Sequence, residues 1–323
     1  MKKIALVTSI ALSLATIQGA RATEQKNGTT HAKGSAVREN RSGSDIRVVG
    51  GGWGNVGLEE IQVLLNAVAA EMLVHFPGHR LDPIVVSSSQ YGPVVLYQRG
   101  PQNEYQVLLA AKGNQWAEYV YEFAHELFHI LAHYEYHAPP RRARHQWFEE
   151  MLCETVSLYM LKRFSLTWEQ SPPRSEWKDY APNLNRFTRR ALEQPHRKLP
   201  KNISFQKWFQ ENGPVLATKP YLREKNELVA MFFLPLLEQN PDWRAVTYLN
   251  LNAAQGDSSF YDHLAHWHRM TPTPHKQFVT QAMRLFHFTE PAEGDRLLTL
   301  EQPTVRPDSE AELRVGPAGP AGQ

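Results

Sequence analysis

His125-Glu126-Leu127-Phe128-His129 sets two imidazoles four residues apart, with a carboxylate beside the first. On an α-helix that spacing puts both rings on one face, one turn above each other. Two neutral imidazoles so placed can share one Zn²⁺, and the intervening Glu126 can reach a water on that metal. A catalytic zinc site takes three protein ligands and leaves a position for water, whereas a structural site is closed by four. One kind of zinc hydrolase takes a third His six residues after the second, past a Gly turn. This chain has Glu135 and Ala132 at those places, so that pattern is absent. Another kind takes a Glu from a second helix, and Trp147-Phe148-Glu149-Glu150-Met151-Leu152-Cys153-Glu154-Thr155 supplies one.

Several elements must position these groups. Residues 116–134 read as a helix, because Tyr119, Phe123, Leu127, Ile130 and Leu131 recur at helical spacing with no Pro or Gly. The helix is apolar on most of its circumference, which predicts burial, and a buried His or Glu needs a partner for which a metal is a common solution. Upstream, residues 58–76 carry Ile61, Leu64, Leu65, Val68 and Met72 at helical spacing and stop at Pro77-Gly78. Three β-prone runs follow at 84–87, 94–98 and 105–110, separated by Gly92-Pro93 and Gly100-Pro101. A loop holding Pro139-Pro140 and the basic run 141–144 leads into the Glu-bearing helix.

With this order, the sequence resembles the gluzincin metallopeptidases, the superfamily of thermolysin and the zinc aminopeptidases. Their motif is HExxH, about twenty residues, then a Glu in a Trp-x-x-Glu or Asn-Glu context. Glu150 stands at the matching place, and Trp147-Phe148-Glu149-Glu150 is similar to the aminopeptidases' Trp-Leu-Asn-Glu. The resemblance covers residues of about 105–165. It implies one Zn²⁺ per chain held by His125, His129 and Glu150, with Glu126 as general base. Thermolysin-like enzymes also carry an acid four residues after the ligand Glu, where it orients a metal-bound His. Glu154 occupies that offset, and such a carboxylate fixes the tautomer and raises basicity. In that family the last strand before the motif is an edge strand that pairs with an extended peptide. Tyr105, Val107 and Leu109 are the matching residues, and strand addition is a way to hold a substrate.

The oxyanion of amide hydrolysis needs a further donor. Zinc aminopeptidases use a Tyr in a Pro-Tyr-Glu-Lys-Gly context, and Pro220-Tyr221-Leu222-Arg223-Glu224-Lys225-Asn226 is similar with two residues inserted. Tyr221 is therefore the first candidate. His263 and His266, in a stretch rich in histidine, are the second: they could donate, form a separate metal cluster, or be a polar helix face. His133 continues the stripe of His125 and His129 and could line the cleft. The aminopeptidases' Gly-x-Met-Glu-Asn string is absent before the motif, which favours an endopeptidase.

The 323 residues carry a formal net charge of +2, which points to neither nucleic acid nor a strongly anionic partner. The single cysteine, Cys153, excludes an intrachain disulfide and reads as a buried thiol acting as a small apolar residue. Lys2-Lys3, an apolar stretch 4–17 and Ala20-Arg21-Ala22 read as a cleavable signal peptide over 1–22, hence export from a bacterial cytoplasm to the periplasm or beyond. No segment is long enough to span a membrane. Residues 23–45 read as a disordered arm, 46–165 as a zincin-like catalytic lobe and 166–200 as a linker with snorkelling cations. Helical runs at 205–210, 224–239, 243–250, 261–269 and 274–288 make 201–292 a mostly α lobe, and 293–323 reads as a loose tail.

The expected fold is thus α+β: helix, small mixed sheet with an edge strand, HExxH helix and Glu helix, followed by a mostly helical C-terminal lobe. The expected function is an exported zinc metallopeptidase acting on a peptide or protein substrate. The alternative is an exported binding or scaffold protein on a degenerate peptidase fold, with structural zinc or none.

Overall fold

The computed structural model describes residues 45–138, 145–251 and 258–291. In chain order these give β1 (Ile46–Val48), α1 (Leu58–Leu73), β2 (Ile84–Ser88), β3 (Val94–Val95), β4 (Tyr105–Leu109), α2 (Trp116–Leu131) and α3 (Gln146–Thr167). They continue with α4 (Ala181–Leu192), α5 (Phe205–Thr218), α6 (Arg223–Gln239), α7 (Phe260–Met270) and α8 (Lys276–Leu285). The architecture is mixed α+β and mostly helical, with one small mixed sheet among the described residues. The stretch read as a signal peptide, most of the one read as an arm, the 139–144 loop and residues from 292 onward lie outside the described residues.

The two site-bearing helices are the centre of the packing, for a reason legible in their composition. Helix α2 buries Trp116, Tyr119, Phe123, Leu127, Phe128 and Leu131 around most of its circumference. Helix α3 buries nearly every residue from Trp147 to Leu161. A helix apolar all round has no face to give to water and must be enclosed. They pack on each other, α1 and the sheet cover α2, and α4 and α6 cover α3. Helix α2 ends at Leu131, and His133 adopts a left-handed conformation (φ 56°). That turn takes His133 off the helix, so it does not extend the stripe of His125 and His129.

The sheet runs β1-β2-β4-β3, with β1, β2 and β4 parallel and β3 antiparallel to β4. This corrects the expectation that residues 105–109 form the open edge. Strand β4 is paired on both sides, through Val107 with Val86 of β2 and with Val95 of β3. Tyr105, Val107 and Leu109 are buried, so none of them is available to a peptide. The edges are β1 and β3; β3 is two residues long, and the chain turns from it into β4 where Gly100 N donates to Glu104 O at 2.8 Å.

The described residues through Glu290 form one compact unit. The stretch 166–200, read as a linker, is folded into it: α4 packs on α3, and Trp177, Leu184 and Arg197 are buried. Among the described residues, no helix is long and apolar enough to cross a membrane.

Candidate metal centre

Helix α2 presents His125 and His129 on one face, their ring centroids 5.0 Å apart. Helix α3 brings Glu150 against both: His125 Nε2 lies 3.6 Å from Glu150 Oε2, and His129 Nε2 lies 3.7 Å from Glu150 Oε1. These separations are too long for hydrogen bonds. Zinc bonds of about 2.0–2.2 Å at tetrahedral angles set ligand atoms roughly 3.3–3.6 Å apart, so the spacing fits one ion among the three groups. Among the described residues, both Nε2 atoms and Glu150 Oε1 are buried and have no hydrogen-bond partner. Orphaned polar atoms in a core are costly, and three converging on one point constitute a site that fits a cation. Burial opposes a charge on His129, yet Cys153, Glu150 and Glu149 outweigh it and raise the pKa of that ring well above its usual value. The surroundings favour positive charge.

The group that fixes His129 is Glu149. Its Oε1 accepts from His129 Nδ1 at 2.6 Å, which aims Nε2 at Glu150. Its Oε2 accepts from Asn250 Nδ2 at 2.8 Å and lies 3.2 Å from His137 Nδ1. Asn250 also donates to Ala132 O at 2.8 Å, tying the end of α2 to the same carboxylate. Glu149 is fully buried, which works against its charge, but His129 and the other partners hold its pKa below the usual carboxylate range.

Glu154 lies near His125 and is held by further groups. Its carboxylate accepts from the Tyr121 hydroxyl and from Arg197 Nη2, the latter at 2.6 Å. Arg197 also meets Glu227 at 3.1 Å, and Glu227 in turn pairs with His196 and Arg223. Burial works against the charge on Glu154, and Arg197, Tyr121 and His125 hold its pKa down. Glu154 thus anchors α3 to a buried ionic network behind His125. Arg197 has no sequence signal, because only the tertiary fold brings it from beyond α4.

Glu126 is fully buried next to His125, and its Oε2 accepts from Val95 N at 2.8 Å. Glu126 is therefore docked on the edge strand β3. Tyr221 lies among Glu150, His129 and Glu149 and hydrogen-bonds Gln146; burial pushes its pKa up to about 12. Tyr97, which the sequence reading missed, shares those surroundings, with Glu149, Tyr221, His129 and Glu150 as neighbours. Its ring stacks on Tyr134 with centroids 5.4 Å apart. Tyr97 fell inside the β-prone run 94–98, a signal that is informative only once Val94–Val95 is known to be an edge strand.

His263 and His266 are not brought to the metal-binding face. His263 packs against Phe260, Phe148 and His145, and burial with neighbouring histidines lowers its pKa to about 3. His266 Nε2 is 3.0 Å from the carbonyl oxygen of Leu251. Beside the site, a pocket is lined by Pro93, Glu122, His125, Glu150, Arg223 and Asn226. Cys153 is buried next to the two imidazoles: its sulfur and one nitrogen from each of His125 and His129 lie within 4.8 Å of one another. No family model, curated protein or solved structure matches this chain.

Proposed function

We propose that this chain is a zinc-dependent peptidase of the gluzincin kind, exported by virtue of its basic and apolar N-terminal segment. The observation that carries the reading is the convergence of three buried, unpartnered ligand atoms, His125 Nε2, His129 Nε2 and Glu150 Oε1, beside a buried Glu126. Bound there, zinc supplies a Lewis acid that polarises a peptide carbonyl and lowers the pKa of water. Glu126 accepts the water proton on its carboxylate and passes it to the leaving nitrogen. Its bond to Val95 N positions the carboxylate before substrate arrives. Tyr221 is protonated at neutral pH, as any tyrosine is, and so can donate a hydrogen bond to a developing oxyanion. Missing aminopeptidase amine-capture residues favour internal cleavage.

The test is elemental analysis together with peptide hydrolysis by wild type and Glu126→Gln. One zinc per chain in both proteins is expected, with hydrolysis reduced by at least about 10²–10⁴-fold in the variant. Zinc-loaded Glu126→Gln working at the wild-type rate would sink the reading, as would a metal-replete preparation without zinc.

A further inference from the structure

Cys153 is the chain's one cysteine, and the chemistry above makes no use of it. It is fully buried on α3, three residues after Glu150. Residues three apart on a helix are neighbours, with about 5–6 Å between Cβ atoms. Helix α3 therefore presents a carboxylate and a thiol to the same pair of imidazoles. The cysteine's sulfur lies within 4.8 Å of a ring nitrogen of His125 and of His129. Independently, the Nε2 atoms of both rings are buried without a hydrogen-bond partner, and His129 is 1% exposed. Two orphaned imidazole nitrogens and an adjacent sulfur form the donor set that soft and borderline divalent metals prefer.

We propose that Cys153 is a thiolate ligand of the same metal, so that the centre has a four-ligand form (His125, His129, Glu150 and Cys153) alongside the three-ligand form. This rests on the zinc reading above and concerns its regulation. When the sulfur binds, the S–H bond breaks, a sulfur–metal bond forms and the proton leaves to solvent, with no change of oxidation state. A site closed by four protein groups has the character of a structural zinc site, whereas one held by three keeps a position for chemistry. The balance between the forms would set how much of the protein is active. Hard cations, which favour oxygen donors, would be held only in the three-ligand form.

The test is the absorption spectrum of the full chain loaded with Co²⁺. A thiolate-to-cobalt charge-transfer band in the near ultraviolet is expected for wild type. It should vanish in Cys153→Ser and in Cys153→Ala, with cobalt retained at one per chain. The ¹¹³Cd chemical shift of the wild-type protein reads sulfur ligation without any variant, should both substitutions misfold. Cobalt bound at one equivalent without the band, or cadmium at an all-nitrogen-and-oxygen shift, overturns this inference and leaves the peptidase reading intact. Failure to bind either metal overturns both.

Discussion

Replacing Glu149 by Gln separates the two carboxylates that could orient the proposed ligands His125 and His129. The change is nearly isosteric and removes one buried charge. In the native chain Glu149 accepts from His129 Nδ1 at 2.6 Å through one oxygen and from Asn250 Nδ2 at 2.8 Å through the other. A hydrogen bond to a charged group is worth about 1.5–3 kcal/mol net and a neutral one about 1 kcal/mol. An amide there therefore weakens the hold on His129 by about 1–2 kcal/mol. Its NH₂ must also face either the Asn250 donor or the His129 donor, which adds a repulsive contact. The sum corresponds to a metal dissociation constant about 10–100-fold higher, the range typical of groups that orient metal-bound histidines. Titration against a competing chelator measures it, with circular dichroism showing that the fold persists. Glu154→Gln is the comparison: its charge faces Arg197, so its effect on metal affinity should be the smaller of the two. Unchanged affinity in Glu149→Gln, with a large loss in Glu154→Gln, would refute the assignment and restore the role inferred from the offset of four.

Three further outcomes are expected. Burial raises the pKa of Glu122 from 4.5 to about 7 despite bonds from Ala111 N and Ala110 N, so the folded chain keeps a proton that the unfolded chain has lost between those values. That contribution to stability is full below pH 4.5 and is lost as pH rises through 7; urea denaturation should show Glu122→Gln gaining about 3 kcal/mol on wild type between pH 4.5 and 8, and parallel curves would exclude it. Arg197→Met leaves Glu154 and Glu227 buried without their shared cation, and should cost about 3–5 kcal/mol by the same method. Tyr221→Phe should lower kcat by on the order of 10²-fold with KM little changed, as expected of a transition-state donor; if Tyr97→Phe has that effect and Tyr221→Phe does not, the donor is Tyr97.

The helices were legible because burial imposes a period that survives in sequence. The 116–134 and 224–239 readings meet α2 and α6 to within a few residues at their ends. Sheet order was not legible, because the hydrophobic run of 105–110 looks the same with one neighbour as with two. Strand β1, three residues long, gives too short a pattern to register. At the site, the helical offset put His125 and His129 on one face of α2, while Glu150, on α3, was expected there only from the resemblance. It could not decide between Glu149 and Glu154 as the partner of an imidazole. That depends on which side of α3 meets Asn250 and which meets Arg197, residues that the fold supplies from far along the chain.

This division of labour bears on whether the motif is portable. Residues 116–167 contain both imidazoles, Glu126, Glu150 and the cysteine, and so look like a self-sufficient cassette. Grafted onto another scaffold, they would carry Glu149 and Glu154 into an apolar interior without Asn250 or Arg197, whose positions belong to later parts of the chain. Two carboxylates stripped of their partners would take up protons or prise the helices apart. A search for this chemistry by motif alone would therefore find more chains than can perform it, and the presence of a distant amide and a distant guanidinium is the better filter.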